Sequence, residues 1–186
     1  MKKILSALVV LLALGVGARL RFVSSRESLA TQRGMVADSW NAVDAALREH
    51  SELLPALAAK VQLAPKLEAQ IQQTIVQECE VLSAARPPRE KIQAYHRLTL
   101  EISRLLLAAD VDPRLRSDQA FLLIKEELTG ADNRVLVARR KYNEALERYN
   151  ASLSVFPQNI VAPISGYSRD DAYFPTASES RASTKE

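Results

Sequence analysis

Apolar residues recur at helical spacing along almost all of this chain. The longest register lies in the second half, where Phe121, Leu128, Val135, Tyr142, Tyr149 and Phe156 follow one another at intervals of seven. Ile124, Ala131, Ala138 and Ala145 fill the half-intervals. Seven residues are close to two helical turns, so these side chains share one face. The pattern predicts a single helix over about 115–156 with a heptad-like seam for packing against other helices.

Upstream, Val36, Trp40, Val43 and Leu47 stand at i, i+4, i+7 and i+11, predicting a helix over about 24–50. Trp40 belongs to the packed stripe on this reading; a ligand platform is the alternative. Ser51 fits an N-cap, with acidic Glu52 in the first turn of a next helix that reaches about residue 85. Pro55 then sits in that first turn or kinks a continuous helix. Pro65 predicts a further kink or break near Leu63–Ala64. Beyond it Leu67, Ile71, Ile75, Glu78 and Leu82 keep one face mostly apolar, with Cys79 at its edge as a small packed side chain. The stretch ARPPRE is a loop, because two consecutive prolines cannot continue a helix. A helix over about 89–109 buries Ile92, Tyr95, Leu98, Ile102, Leu105 and Leu106. In DVDPR, Asp112 is the expected N-cap and Pro113 the first helical position of the long helix. Gly130 inside that helix costs about 1 kcal/mol relative to Ala, which suggests a close helix approach or a local bend.

After Pro157 the helical period stops. An extended tail is expected to lay Ile160, Val161, Ile164, Tyr167, Tyr173 and Phe174 onto the helices. Residues 176–186 are small and polar and are expected to be disordered. Short connections between long amphipathic helices make antiparallel neighbours. The expected fold is all-α: an up-and-down antiparallel bundle of three to four long helices with an N-terminal transmembrane helix. Its expected parts are a membrane anchor or signal segment at 1–23, a helical domain with its packing segment at 24–175, and a tail at 176–186.

The N-terminus carries the transmembrane expectation. Lys2 and Lys3 precede an uncharged run from Ile4 to Ala18. These 15 residues would span roughly 22 Å, short of a hydrocarbon core of about 30 Å. One reading is a cleaved signal peptide, with Val16-Gly17-Ala18 as the small-residue cleavage site. The other is an uncleaved anchor through residues 4–23, in which Arg19 and Arg21 snorkel and Leu20, Phe22 and Val23 extend the apolar segment. No proline or turn cluster follows it, so it runs directly into the next helical pattern, which favours the anchor. The side of the membrane stays open. Arg19, Arg21, Arg26 and Arg33 favour a cytoplasmic domain, and the basic start favours the reverse.

Composition adds little chemistry. Gly numbers 5, aromatics are 5% and apolar residues 47%, a helix-forming and globular balance. The net charge of +3 is mild, and the Arg139-Arg140-Lys141 triplet reads as a solvated helix face. Nucleic acid is not an expected partner, because no clustered basic face interleaves with aromatics. The one cysteine, Cys79, can form no internal disulfide. His50 and His96 lack ligand spacing and read as helix-surface residues. The pairs Glu126-Glu127 and Asp170-Asp171 are adjacent, so they do not face each other on a regular helix. No catalytic, cofactor-binding or metal-binding residue is expected, and no cofactor.

The segment ADNRVLVARRKYNEALERYNASLSVFP, followed by a tail that ends in AYFP, resembles the LemA family. Asn133, Arg134, Ala138, Arg139, Tyr142, Asn143, Tyr149, Asn150, Phe156 and Pro157 stand where that family's motif places them. Leu53, Leu54, Pro55 and Leu57 match a second, weaker stretch. The chain departs from the pattern at Thr129 to Asp132, at Asp112 and at Ala56, as a divergent member would. The resemblance implies a membrane-anchored helical protein of bacteria with no established enzymatic activity. It also implies a membrane-associated protein partner, a membrane protease among the candidates.

Asn143 and Asn150 fall one step off the seam, about 100° round the helix. They either hydrogen-bond the next helix or the tail, or line a recognition groove under the tail. The functional expectation is a non-enzymatic scaffold or interaction protein, held by the lipid bilayer through residues 4–23 as a single pass in the bacterial inner membrane. Homo-oligomers are compatible with the long seam. The alternative is a cleaved, soluble periplasmic protein that binds a peptide or small ligand between helices.

Overall fold

A computed structural model describes the backbone of residues 2–61 and 65–175, and their side chains apart from 2–10, 65–69, 71 and 72. The expectations for Leu63–Ala64, for the packing of Leu67 and Ile71, for the side chains of residues 4–10 of the anchor and for the 176–186 tail lie outside the described residues. The fold is all-α, with no strand among the described residues. Its helices are α1 (Lys2–Lys60), α2 (Pro65–Ala84), α3 (Pro88–Asp110), α4 (Pro113–Arg116), α5 (Gln119–Ser152) and α6 (Gln158–Ile164).

The expected helix start at Ser51 is not there. Ser51 Oγ donates back to the Arg48 carbonyl at 2.8 Å, a bond made inside a continuing helix, and α1 passes Pro55 to end at Lys60. A mid-helix proline costs about 3 kcal/mol. Leu54, Leu57 and Val61 are fully buried around it, and each such side chain contributes roughly 1.5–3 kcal/mol, so burial wins.

At DVDPR the expected cap is found: the Asp112 carboxylate accepts from Arg114 N–H at 2.9 Å, with Pro113 at the first position. The helix it starts, however, is the single turn α4. Asp118 then caps α5 by accepting from Phe121 N–H at 3.1 Å. Within α5 the seam is as expected, with Phe121, Leu128, Val135, Tyr142 and Tyr149 all buried. Phe156 is not part of it and is 74% exposed. α5 ends at Ser152, whose hydroxyl donates to the Tyr149 carbonyl at 2.7 Å. Pro157 disfavours helical backbone at the residue before it, so the count by sevens loses meaning there. Gly130 marks no helix approach; a Cβ built there would meet only the tip of Arg134, at 3.4 Å.

The segment after Pro157 is not extended throughout. It forms α6, with Pro163 inside it, followed by Gly166 at φ 74°. Val161 and Phe174 are buried as expected, and so is Ala162, whereas Ile160 and Ile164 are exposed.

The chain divides into two compact units, 1–39 with 143–171, and 40–142 with the segment from 172. The first has a small core of Leu29, Val161 and Ala162, flanked by Leu153 and Tyr167. The second packs α1, α3 and α5 in a consistent order. Trp40, His50 and Lys60 of α1 meet Tyr142 and Asp132 of α5 and its cap Asp118, in opposite sense. Tyr95 and Asp110 of α3 meet Arg139 and Lys125 of α5, again in opposite sense. Asp44 and His50 meet Lys91 and Tyr95 in the same sense. Glu78 of α2 takes Arg97 of α3 on both carboxylate oxygens at 2.9 and 3.0 Å.

From residue 11 to residue 24 every side chain of α1 is exposed, including Leu11, Leu12, Leu14, Val16, Leu20 and Val23. Among the described residues no helix is long and apolar enough to cross a membrane.

Candidate functional site

Asn150 and the two tyrosines of the repeated Tyr-Asn contact the tail. In the first unit, Tyr149 and Asn150 are both buried at the end of α5. The Tyr149 hydroxyl donates to the Ser168 carbonyl at 2.9 Å. Asn150 Nδ2 donates to the Asp170 carbonyl at 2.6 Å, and Asn150 Oδ1 accepts the Asp170 N–H at 3.0 Å. This matches the amide's one donor face and one acceptor to a peptide's carbonyl and N–H. Arg33 of α1 lies over the Tyr167 ring, 5.9 Å from its centroid. The tail is thus gripped by its main chain.

In the second unit the grip is on a side chain. Phe174 is 2% exposed. Its ring stacks on Trp40 at 6.3 Å and meets Tyr142 edge-on at 6.0 Å, while Trp40 and Tyr142 meet each other at 5.1 Å. Such offset and edge contacts are the favoured aromatic geometries. Arg139 closes the other face, its guanidinium 4.7 Å from the Phe174 centroid and 5.9 Å from that of Tyr95. One of its nitrogens also donates to the Pro175 carbonyl at 3.1 Å. Burial pushes the Arg139 guanidinium below its usual range, with Tyr95 opposing. Its Nε is buried with no partner among the described residues.

A polar chain continues from there. His50 is only 1% exposed, and its Nε2 lies 3.0 Å from the Asp132 carboxylate. Its ring meets Tyr95 edge-on at 5.6 Å. The Tyr95 phenol is pushed up to about 12, first by burial and then by the negative charge of Asp132, which also accepts its hydrogen bond. Both the loss of solvent and a nearby carboxylate disfavour phenolate. His50 Nδ1 is buried without a partner among the described residues.

Two readings of the sequence change here. His50 is a buried residue, not a helix-surface one, because α1 continues past it and carries it on the Val43–Leu47–Leu54 face. Arg139 is not part of a solvated triplet; Arg140 and Lys141 are exposed, but Arg139 is half-buried between two rings. Trp40 takes the packed place expected of it. Cys79 is half-buried, with its thiol pushed up by burial and then by Glu78. Glu126, Glu127, Asp170 and Asp171 are exposed, His96 is half-buried, and Asn143 is half-buried beside the seam.

Two shallow cavities lie in the second unit. One of about 520 Å³ is bordered by Lys60, Asp112, Arg114 and Asp118, whose charges face one another as Arg114–Asp112 at 2.7 Å and Lys60–Asp118 at 4.0 Å. The other, about 280 Å³, lies between α1 and α2 against Pro55, Ile75, Val76 and Cys79. Among the described residues no group of three or more His, Cys, Asp or Glu side chains is placed to hold a metal ion.

In the first unit, tail main-chain groups pair with an amide and a phenol; in the second, an aromatic ring is held between two rings and a guanidinium. Compared with known proteins, residues 39–185 match the family model described as the LemA family. No curated protein matches the chain. The match takes in most of the chain, including the whole tail-gripping segment and its Tyr-Asn repeat, and the chain belongs to the LemA family.

Proposed function

We propose that this protein is a membrane-anchored, non-enzymatic interaction protein, built as an up-and-down helical bundle at the bacterial inner membrane. The observation that carries the reading is the exposed apolar collar of α1. Leu11, Leu12, Leu14, Val16, Leu20 and Val23 stand in solvent on a helix that continues unbroken to Lys60. Water disfavours such a surface at roughly 25 cal/mol per Å², and a bilayer removes that cost. Arg19 and Arg21 suit the headgroup level, where long basic side chains reach out of the apolar zone. Residues 4–23 form the single pass on this reading. The alternating sense of the α1, α3 and α5 contacts supports the bundle. LemA is not a known enzyme family, which supports a binding role, with a membrane-associated protein as partner.

The test is fractionation with impermeant thiol labelling of a Cys79→Ser, Ser183→Cys variant. Retention in washed membranes is the expected result. Labelling of intact spheroplasts then puts the domain outside, and labelling only after lysis puts it in the cytoplasm. Release into the soluble periplasmic fraction, with a mature N-terminus near Arg19, would overturn the anchor.

A further inference from the structure

The residues that build the Phe174 slot also contact one another. Trp40 and Tyr142 meet edge-on at 5.1 Å, and Arg139 lies over the Tyr95 ring at 5.9 Å. The tail then supplies one aromatic side chain and one carbonyl, those of Phe174 and Pro175. No helix or strand ties residues 167–175 to the rest of the chain. The hydrogen bonds from Tyr149 and Asn150 to Ser168 and Asp170 are made to main-chain atoms. Peptide sites elsewhere divide the work in the same way, with main-chain bonds giving affinity and a side-chain pocket giving specificity.

We propose that the Trp40–Tyr142–Arg139 slot is a peptide-recognition site for an extended segment carrying an aromatic residue followed by proline, filled in cis by Phe174–Pro175, and that the same segment of a second copy of this chain fills it in trans. The occupant follows from the sequence in the slot: every copy carries the ring and the carbonyl that the slot already holds. Gly166, at φ 74°, lies between α6 and residues 167–175, the strap, and supplies backbone freedom for the strap to leave. Arg139 tolerates the exchange because its buried guanidinium needs a ring face and a carbonyl, whichever chain provides them. A tethered tail competes at an effective concentration on the order of millimolar. Exchange is therefore a minor state of dilute chains and grows with chain density, as in the plane of a membrane.

Complementation between two full-length variants tests this. Phe174→Ala leaves the slot intact and empties it. Trp40→Ala breaks the slot and leaves an intact tail. The chain has one tryptophan, so in a mixture of the two only the emptied slot gives tryptophan emission. Both are kept in one detergent, and helicity is checked by circular dichroism. Emission of the Phe174→Ala chain should move toward the wild-type spectrum as the Trp40→Ala chain is added, saturably. The two should co-purify through a tag on one of them. A peptide spanning residues 170–175 should compete, and a donor carrying both substitutions should have no effect. Co-purification of wild-type chain with the same donor should need on the order of a thousandfold more donor than that of Phe174→Ala, because its own tail competes. If Phe174→Ala loses its helicity, Phe174→Leu replaces it, keeping the tail apolar without the ring. Two helical variants that mix with no change in Trp40 emission would overturn the proposal. So would co-purification without that change, since the chains would then meet elsewhere.

Discussion

Asn150 is the residue on which the tail's main chain depends most directly. It is 6% exposed and makes two bonds to one residue, Asp170. Replacing it by Ala removes both. A net intramolecular hydrogen bond contributes roughly 0.5–1.5 kcal/mol. Asp170 itself is exposed, so its freed carbonyl and N–H turn to water, and no penalty for stranded buried groups is added. The strap should lose about 1–3 kcal/mol of local stability, which raises its opening constant roughly 5- to 150-fold. Native-state hydrogen exchange at the Asp170 amide reads that constant, because its N–H is the donor to Asn150.

Asn150→Asp separates the two bonds. The carboxylate still accepts the Asp170 N–H. Its second oxygen stands where Nδ2 stood, 2.6 Å from the Asp170 carbonyl, acceptor against acceptor. At neutral pH the aspartate should open the strap at least as much as alanine does. As pH falls below an ordinary carboxyl value of about 4, the protonated acid regains a donor and the ratio to wild type should shrink. Alanine should show no such recovery. Exchange of the Asp170 amide within twofold of wild type in Asn150→Ala would refute the two-bond account. An aspartate variant with wild-type protection at neutral pH would refute the role of the donor bond.

Other parts of the molecule make further predictions. Tyr95 titrates near 10 when unfolded and about 12 when folded, so it lowers stability as pH rises from 10 toward 12, by on the order of 2–3 kcal/mol; alkaline urea titrations should show that fall, and Tyr95→Phe should flatten it. Gly130→Ala should raise the thermal midpoint, by about 0.5–1 kcal/mol of stability, because the new methyl meets only the movable tip of Arg134; an unchanged or lower midpoint would contradict this. The raised Cys79 thiol should label with an uncharged maleimide more slowly than a cysteine at Ser183 in the same chain near pH 8, and the gap should close in denaturant.

The helices were legible wherever one face is buried over several turns. The seam from Phe121 to Tyr149 and the α3 face from Ile92 to Leu105 are read directly from spacing, because burial acts on every turn and leaves a repeating mark. Boundaries were harder, because caps act once. Asp112 and Asp118 are both good caps six residues apart, and local chemistry does not say which starts the long helix. Ser51 looked like a cap, but its hydroxyl serves equally well inside a helix, and only the burial of Leu54, Leu57 and Val61 decides the matter. That single boundary also hid His50. Once α1 is continued, His50 falls three residues after Leu47 and four before Leu54 on the buried face. α6 was not legible, because seven residues containing a proline are too short for a period to show.

The candidate site was legible in part, for a reason that lies in its chemistry. Asn150 stood out because a polar residue beside a buried seam must find a partner, and the tail was the nearest unsatisfied backbone. Arg139 did not stand out, because its signal is shared between distant segments. A guanidinium flanked by Arg140 and Lys141 has the sequence signature of a wet face. What makes it different is Tyr95 on one side and Phe174 on the other, residues 44 before and 35 after it. Desolvation of a cation is favourable only when ring faces and a carbonyl replace the lost water, and all three come from other segments. A slot of this kind is a property of the packed helices and tail together, so periodicity finds the scaffold and only the fold finds the slot.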